Sequence, residues 1–402
     1  MMRNSAPWRF IFLIGLVSLF ADITYEGGRG LAGPFLFSLG ASATAVGFVS
    51  GLGEMVGYGL RLVFGLLSQR TGRYWAFTLG GFALNLAAVP FLAFAGSWPV
   101  ASGLLVMERL GKSIRSPAKD TLLSHAASAV GYGKGFGFQK AMDQLGAVLG
   151  PLICAFTLMA WGYHIAFGIL IVPAIVAMIL LFAARSVFPN PASFEPDSAT
   201  EIPADRKFPR AYWIYLAGAG FLALGYADYP LLAYHFKKTG LLTDAQIPMS
   251  YAVAMGMDAV AALSFGFLFD RIGLKSLPLA AVAAGVAAPL AFSNNHAACW
   301  VGILLWAATL GAQDSSLKAG IARLVSKERR ASAYGIFQAA FGISWFVGSA
   351  AMGWLYDHAF QGVIILAIAA QVLSASAFIL ASYAEKIGEK SGKLISGQLP
   401  AT

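Results

Sequence analysis

The segment from Glu108 to Asp120 holds the side chains best suited to chemistry. It continues directly from the apolar run at 101–107, yet six of its thirteen residues are ionisable. Four of these follow one another at spacings of four, three and four residues, which places them on one face of a helix. Such a face can hold an anionic group, pair with carboxylates that exchange protons, or join helices through ion pairs. The four residues are Glu108, Lys112, Arg115 and Lys119.

Composition identifies the environment of these side chains. Hydrophobic residues make up 58% of the 402 and charged residues only 12%, whereas about a quarter of an ordinary globular domain is charged. The chain is therefore of the membrane class. Its net charge of +9 is explained by basic loops kept on the cytoplasmic side, so no nucleic-acid partner is expected. Cys154 and Cys299 lie far apart in apolar runs and predict neither a disulfide nor a metal site.

Twelve apolar runs have the length of a membrane span. The first has no small-residue cleavage site and is followed by Asp22 and Glu26, so it is a span and not a signal peptide. A polar segment separates six runs from six, which predicts an all-α membrane protein of twelve transmembrane helices in two halves. The halves are residues 1–185 and 211–384, with a cytoplasmic linker at 186–210 and a polar, disordered tail at 385–402. The runs are 9–34, 43–68, 74–95, 98–121, 134–160, 162–184, 211–236, 246–269, 274–294, 297–321, 331–356 and 360–383.

Lysine and arginine predict the orientation of these spans. With the N-terminus inside, the cytoplasmic segments hold most of the basic residues, and the opposite loops hold little besides Lys237 and Lys238. Both termini are therefore expected in the cytoplasm. The expected location is the plasma membrane, as a multi-pass protein of a bacterial inner membrane.

An internal repeat carries a family resemblance. The segment from Gly65 to Arg73 (GLLSQRTGR) recurs about 200 residues later, from Gly266 to Lys275 (GFLFDRIGLK). Both resemble the signature loop of the major facilitator superfamily, G-x-x-x-D-R-x-G-R/K, although Gln69 replaces the usual acid in the first copy. The resemblance implies that these loops act in gating, through Gly65, Arg70, Gly72, Arg73, Gly266, Asp270, Arg271 and Gly273.

The same resemblance implies how the spans are arranged. In this family two six-helix halves enclose a central cavity, and the third span of each three-span unit packs outside, towards lipid. Here spans 3, 6 and 12 have no charged residue in their interiors, while spans 1, 2, 4, 5, 7, 8 and 10 do. A charge at mid-membrane costs roughly 2.5–3.5 kcal/mol on insertion scales, so the charged spans are expected to face the cavity. In span 5, Gly146-x-x-x-Gly150-Pro151 resembles part of the motif of the family's antiporters.

A proton switch is one interpretation of the charges nearest mid-membrane. Asp22 in span 1 and Arg109 in span 4 are expected at similar depth, where they could form an ion pair. A carboxylate that loses such a partner in one conformation takes up a proton. A fixed structural pair between two helices is the alternative. The residues proposed for proton coupling or ion pairing are Asp22, Glu26, Arg109, Asp228 and Asp258.

Two helix irregularities are also predicted. In span 1, Gly27, Gly28, Gly30 and Pro34 could form a hinge near the outer mouth or permit close helix packing. In span 7, Pro230 follows Asp228 closely and is expected to break the helix beside that carboxylate.

The basic side chains of spans 4 and 5 leave two possibilities open. Lys112, Arg115 and Lys140 could bind an anionic group, or Glu108, Asp143 and Asp120 could neutralise them. In span 10, Asp314 and Lys318 have the spacing of a local ion pair. The expected substrate cavity is lined by Arg29, Glu108, Lys112, Arg115, Lys140, Asp143, Gln144, Asp314, Lys318 and Gln338.

These features predict a monomeric secondary active transporter whose partners are a small-molecule substrate, protons and membrane lipid. The leading hypothesis is proton-coupled export of a small solute, since the span 5 motif is similar to that of antiporters. Proton-coupled uptake of an anionic metabolite is the alternative, and a non-transporting membrane sensor is an alternative of another class. The sequence has no phosphate-binding loop, no nucleophile–base pair and no metal-ligand spacing among its histidines. No enzyme activity, cofactor or metal is therefore expected.

Overall fold

The computed structural model describes residues 5–194, 208–326 and 329–395, and in these ranges the chain is almost entirely helical, with no β-strand. Part of the predicted linker, 195–207, and the last residues of the predicted tail, 396–402, lie outside them. The first part of that tail is helical. The first region contains α1 (Ser5–Ser38), α2 (Ala43–Thr71), α3 (Tyr74–Phe91), α4 (Trp98–Val130), α5 (Tyr132–Gly168) and α6 (Ile171–Val187). The second contains α7 (Arg210–Leu224), α8 (Tyr229–Thr239), α9 (Gln246–Ile272), α10 (Leu277–Ala291), α11 (His296–Ala312), α12 (Lys318–Leu324), α13 (Arg330–His358) and α14 (Phe360–Ile395).

Eight helical stretches of the described chain are long and apolar enough to cross a membrane. Four of them each contain two consecutive helices: α5 with α6, α7 with α8, α9 with α10 and α11 with α12. Helices α2 and α4 lie outside these eight; at 29 and 33 residues they have sufficient length, and they carry several of the charged side chains. The eight are Ala6–Ser38, Tyr74–Phe94, Tyr132–Val187, Arg210–Thr239, Gln246–Ala291, His296–Leu324, Ser332–His358 and Phe360–Ile387.

The predicted break beside Asp228 is present. Helix α7 ends at Leu224 and α8 begins at Tyr229, with Asp228 at the N-cap position and Pro230 in the first turn. Proline suits this place because the first helical N–H groups need no partner within the helix. A second irregularity, the π-helical turn Gln313–Leu317, joins α11 to α12; such turns often occur at functional sites.

The glycines of α1 serve close packing. The helix is continuous through Gly27 and Pro34, and a Cβ added at Gly27 would lie 3.0 Å from the Cys154 sulfur. On α5, a Cβ at Gly146 or Gly150 would lie 2.4 Å from a backbone carbonyl oxygen of α1. Small residues let transmembrane helices approach this closely, and here they set α1 against α5.

Helices α6, α10 and α14 present apolar side chains outward. In α6, for example, Ile179 and Phe182 are exposed, and in α14 Ile365 and Val372 are exposed. These helices correspond to spans that the sequence predicts to face lipid, and such surfaces suit contact with hydrocarbon.

One end of the helix assembly is closed by a seam between the two regions. A Cβ at Gly33 would lie 2.1 Å from the Pro230 carbonyl oxygen, and one at Gly47 would lie 2.4 Å from that of Ser349. Beside this contact, Asp357 at the end of α13 accepts hydrogen bonds from the N–H groups that begin α2, including Thr44 N at 2.8 Å. A carboxylate at a helix N-terminus is favourable because it meets unpaired N–H groups.

Candidate functional site

A polar cavity of about 480 Å3 lies between α1, α2, α4 and α5 on one side and α9, α12, α13 and the π-helical turn on the other. It brings together most of the side chains that the sequence assigns to a substrate site or to proton coupling. These are Asp22, Glu26, Arg29, Lys112, Arg115, Lys140, Asp143, Gln144, Asp258, Asp314, Lys318 and Gln338.

Exposure of the charged side chains indicates the direction in which the cavity opens. Asp22 and Glu26 are buried at 5% and 7% exposure, whereas the side chains of Asp120 and Lys140 are 55% and 48% exposed. The mouth therefore lies towards Asp120 and Lys140, and the deep end lies next to the closed seam.

A cluster of ion pairs forms the deep end of the site. Arg29 contacts Glu54 at 2.7 Å and Asp228 at 3.4 Å, so it links α1 to α2 and to the break before α8. Arg109 contacts Glu54 at 3.4 Å and Glu108 at 3.2 Å. With Arg29, the residues Glu54, Glu108, Arg109 and Asp228 line a smaller pocket of about 40 Å3.

The predicted pair between Asp22 and Arg109 is not formed. Among the described residues, the carboxylates within 4.0 Å of the Arg109 guanidinium are Glu54 and Glu108. Glu54 is the nearer interhelical partner because α2 packs against α4. Asp22 lies on the side of α1 that meets α5, since a Cβ at Gly146 would lie 2.8 Å from its Cβ.

Glu26 has a different set of partners. It accepts a hydrogen bond of 2.6 Å from the Tyr251 hydroxyl of α9, and Lys112 of α4 lies 3.9 Å away. This carboxylate therefore joins three helices, and it connects the first region of the chain to the second.

Within the described chain, the basic side chains of α4 and α5 that the sequence singled out have no ion pair within 4.0 Å to Glu108, Asp143 or Asp120. Lys112 lies near Glu26 and 4.3 Å above the Tyr25 ring. Lys140 pairs with Asp314 across the cavity at 3.2 Å, so Asp314 has this partner in place of Lys318. Asp120 does pair, but with Lys119 at 3.8 Å.

Arg115 interacts with aromatic rings. Its guanidinium lies 4.3 Å from the centre of the Phe82 ring and 5.3 Å from that of Tyr25. Its Nε atom is buried and has no hydrogen-bond partner among the described residues.

Two aspartates of the cavity are held by glutamines. Gln139 donates to Asp143 at 2.5 Å, and Gln144 donates to Asp258 at 2.6 Å. In each aspartate the other carboxylate oxygen, Oδ1, is buried and unpartnered within the described chain. The second of these bonds joins α5 to α9 and so crosses between the two regions.

Several residues of the site could not be chosen from the sequence. Glu54 is visible as a charge in an apolar run, but its two arginine partners depend on the packing of three helices. Nothing in the sequence marks Tyr251 or Asn85 as part of the site. Asn85 of α3 donates to the Glu108 carboxylate at 2.7 Å and fixes it beside Arg109.

The repeated loops lie outside the cavity and occupy equivalent places in the two regions. Gly72 ends α2 with φ +65° and Gly273 ends α9 with φ +60°. Both values lie in the left-handed region, which glycine adopts without strain. Arg70, Arg73, Asp270 and Arg271 are exposed beside these turns, whereas Gly65 and Gly266 lie within α2 and α9.

Metal binding has no support in the described residues, because no three of their His, Cys, Asp and Glu side chains form a group that could hold an ion.

Comparison with known proteins gives one family. The family model described as Major Facilitator Superfamily matches residues 11–292 and 229–399. An uncharacterised protein of Mycobacterium tuberculosis is 41% identical over 375 residues, 92% of each chain. An uncharacterised MFS-type transporter of Methanocaldococcus jannaschii is 22% identical over 353 residues, 86% of this chain and 88% of the relative.

Solved structures share the fold at low sequence identity. A variant of the nucleoside transporter NupG has a TM-score of 0.74 at 11% identity, covering 92% of this chain and 99% of that one. An inward-facing, unoccupied bacterial homologue of the lysosomal transporter Spinster has a TM-score of 0.72 at 14% identity, covering 96% and 98%. A variant of the peptide transporter POT, in complex with sulfate, has a TM-score of 0.74 at 16% identity, covering 94% and 95%.

Proposed function

Because this chain belongs to the Major Facilitator Superfamily, we propose that it exports a small solute in exchange for protons, as a monomeric secondary active transporter. The observation that carries this proposal is the polar cavity, which lies between the two regions of the chain and is sealed at one end. A membrane protein exposes buried charges to such a space when a polar solute must cross.

The proposed architecture is twelve spans in two six-helix halves, residues 1–185 and 211–384. Fourteen α-helices are described, and they reduce to twelve spans if two pairs each form one interrupted span. The pairs are α7 with α8, separated at Asp228, and α11 with α12, joined by the π-helical turn. Interrupted spans next to a cavity are common in transporters.

In the proposed transport cycle, the cavity opens at one end and then at the other. The mouth near Asp120 and Lys140 is on the side that the distribution of basic residues assigns to the cytoplasm of a bacterial cell, with both termini on that side. The opposite state requires the two regions to separate at the seam of Gly33 and Gly47. It also requires them to approach each other at the mouth, where Lys140 and Asp314 already pair across the cavity.

Proton coupling is proposed at Asp22 and Glu26. Asp22 is buried beside the cavity and has no ion pair among the described residues. Glu26 is held by Lys112 of its own half and by Tyr251 of the other half, so rocking of the halves would separate it from Tyr251. Loss of this hydrogen bond in the other state would favour protonation of Glu26. Arg109 acts here by holding Glu54 and Glu108, which leaves Lys112 to Glu26.

The test uses purified protein in liposomes that contain a pH-sensitive dye, after a thermal-shift screen has identified a transported solute. We expect solute flux to follow an imposed pH gradient. Asp22→Asn and Glu26→Gln should abolish gradient-driven flux while solute–solute exchange continues, because exchange needs no net proton movement. Asp120→Asn at the mouth is the matched control. Flux that ignores the gradient, or that survives both substitutions, would remove proton coupling.

Uptake of an anionic metabolite is the second candidate, favoured by the buried Arg115 that has no carboxylate within 4.0 Å in the described chain. In right-side-out vesicles, this candidate predicts that an inward proton gradient drives uptake of the solute. Export predicts that the same gradient opposes its accumulation. The direction of flux therefore separates the two.

A further inference from the structure

Within the described chain, two arginines of the cavity have no carboxylate partner and carry a buried Nε atom without a hydrogen bond. Arg29, Lys112 and Lys140 each have a carboxylate within 4.0 Å. Arg61 of α2 and Arg115 of α4 have none among the described residues; each lies against aromatic rings, and each has a buried Nε atom without a hydrogen-bond partner. Arg115 is only 3% exposed.

Two carboxylates of the cavity likewise have no cation within 4.0 Å in the described chain and carry a buried oxygen without a partner. Asp143 of α5 and Asp258 of α9 are bound by glutamine amides, not by cations, and one oxygen of each is unpartnered. Asp258 is 3% exposed. The unpaired acceptors therefore lie on α5 and α9, and the unpaired donors lie on α2 and α4; each of these two pairs of helices packs together.

A buried polar atom without a partner loses its hydrogen bonds to water and gains none in return, and native proteins contain few such atoms. In this chain several occur around one cavity. Gln313, in the π-helical turn, has both an unpartnered donor, its amide nitrogen, and an unpartnered acceptor, its amide oxygen, and it is 6% exposed. Such groups at a cavity wall are satisfied when a ligand supplies the complementary atoms.

We propose that the transported solute is a small zwitterion, which presents a carboxylate to Arg115 and Arg61 and an ammonium group to Asp258 and Asp143. This inference rests on the proposed transport function and names its substrate class. A guanidinium binds a carboxylate through a charge-assisted hydrogen bond, and the ammonium N–H groups donate to the free Oδ1 atoms. The Gln313 amide can donate to the carboxylate of the solute or accept from its ammonium group.

A solute with only one charge fits less well. An anion would satisfy the arginines and leave Asp143 and Asp258 with unpartnered oxygens. A cation would satisfy those oxygens and leave the two guanidinium groups unmatched. Because an unmatched buried group keeps its full desolvation cost, each single-charge analogue should bind more weakly than the zwitterion.

The experiment measures binding to purified protein by isothermal titration and thermal shift, with no gradient and no transport step. Three matched sets of compounds are used, each a zwitterion with its carboxylate-only and amine-only analogues. They are phenylalanine with N-acetylphenylalanine and phenylalanine amide, dialanine with N-acetyldialanine and dialanine amide, and γ-aminobutyrate with butyrate and butylamine. In at least one set the zwitterion should bind about tenfold tighter than both analogues. Absence of this preference in all three sets, including absence of any binding, overturns the inference.

Two substitutions assign the charges to residues. Arg115→Gln should weaken binding of the preferred zwitterion about tenfold and leave its amine-only analogue unchanged. Asp258→Asn should weaken the zwitterion similarly and leave the carboxylate-only analogue unchanged. Arg185→Gln, at the exposed end of α6, is the control for loss of one positive charge. Equal losses for all analogues in both variants would contradict the assignment, provided that each variant elutes as a single species with unchanged thermal stability.

Failure of this inference and failure of the proposed function give different results. If the protein binds a zwitterion but moves no solute across liposomes, the transporter proposal fails. If the protein transports another solute and shows no preference in the matched sets, only the substrate class is wrong.

Discussion

Buried polar groups connect the helices within each region of this protein, but the groups differ between the regions. In the first region, α1 to α6, charged side chains connect the helices, and Arg29 and Arg109 share Glu54. In the second region, α7 to α14, tyrosine hydroxyls connect the helices by donating to backbone carbonyl oxygens. These bonds are Tyr212 to Ala333, Tyr215 to Leu317, Tyr226 to Trp306 and Tyr229 to Ile247, at 2.5–2.8 Å.

The difference suggests a division of labour. An ion-pair cluster in which one guanidinium faces two carboxylates has alternative pairings of similar geometry, so it can rearrange when helices move. A tyrosine bonded to one carbonyl has a single acceptor and ties two helices in one register. We expect the charged cluster to respond to substitution strongly and the tyrosine bonds to respond modestly and independently.

The largest effect is expected from Glu54→Gln. This change removes the carboxylate shared by Arg29 and Arg109, so that among the described residues Arg29 keeps only Asp228 and Arg109 keeps only Glu108 as a carboxylate partner. Breaking a buried ion pair from one side costs about 3–5 kcal/mol, and the free energy of unfolding should fall by about that amount. Unfolding in detergent, followed by SDS titration and tryptophan fluorescence, measures it.

A double substitution sharpens this result. Glu54→Gln combined with Arg109→Gln removes one charge of each sign, so it should destabilise less than the sum of the two single changes. Additive losses would indicate that the cluster is not a coupled unit.

A smaller effect is expected from Tyr226→Phe in the second region. The substitution removes the hydroxyl that donates to the Trp306 carbonyl at 2.8 Å and keeps the ring stacked on Trp306. The expected loss is about 1 kcal/mol, the net value of one hydrogen bond. Tyr132→Phe, at an exposed position, is the control. A loss as large as that of Glu54→Gln would erase the proposed difference between the regions.

The smallest effect is expected from Arg323→Gln. Arg323 pairs with Glu385 at 2.5 Å, but its side chain is 46% exposed. Solvent screens such pairs, which typically contribute about 0.2–1 kcal/mol. The same SDS titration should therefore detect little change. A loss of several kcal/mol would mean that charges support the second region as well.

The sequence predicted local backbone structure where a residue type strongly restricts the backbone geometry. Pro230 predicted the break beside Asp228, and the repeated motif predicted the loops that follow α2 and α9. The grouping of most charged residues around one cavity also followed, because an isolated charge in lipid is too costly. The partner choice did not follow. The sequence predicted similar depth for Asp22 and Arg109, but Glu54 of α2 contacts both Arg29 of α1 and Arg109 of α4 and is the partner of Arg109 in place of Asp22.

The sequence by itself determined the membrane class, the family and the set of side chains that avoid lipid, since these depend on composition and on short motifs. Only the tertiary structure decided which charges of the stretch from Glu108 to Asp120 are paired. Lys112 meets Glu26, and Arg115 meets only aromatic rings in the described chain. Side chains three and four residues apart on one helix share a face, but their partners come from neighbouring helices whose rotation and depth are fixed by packing.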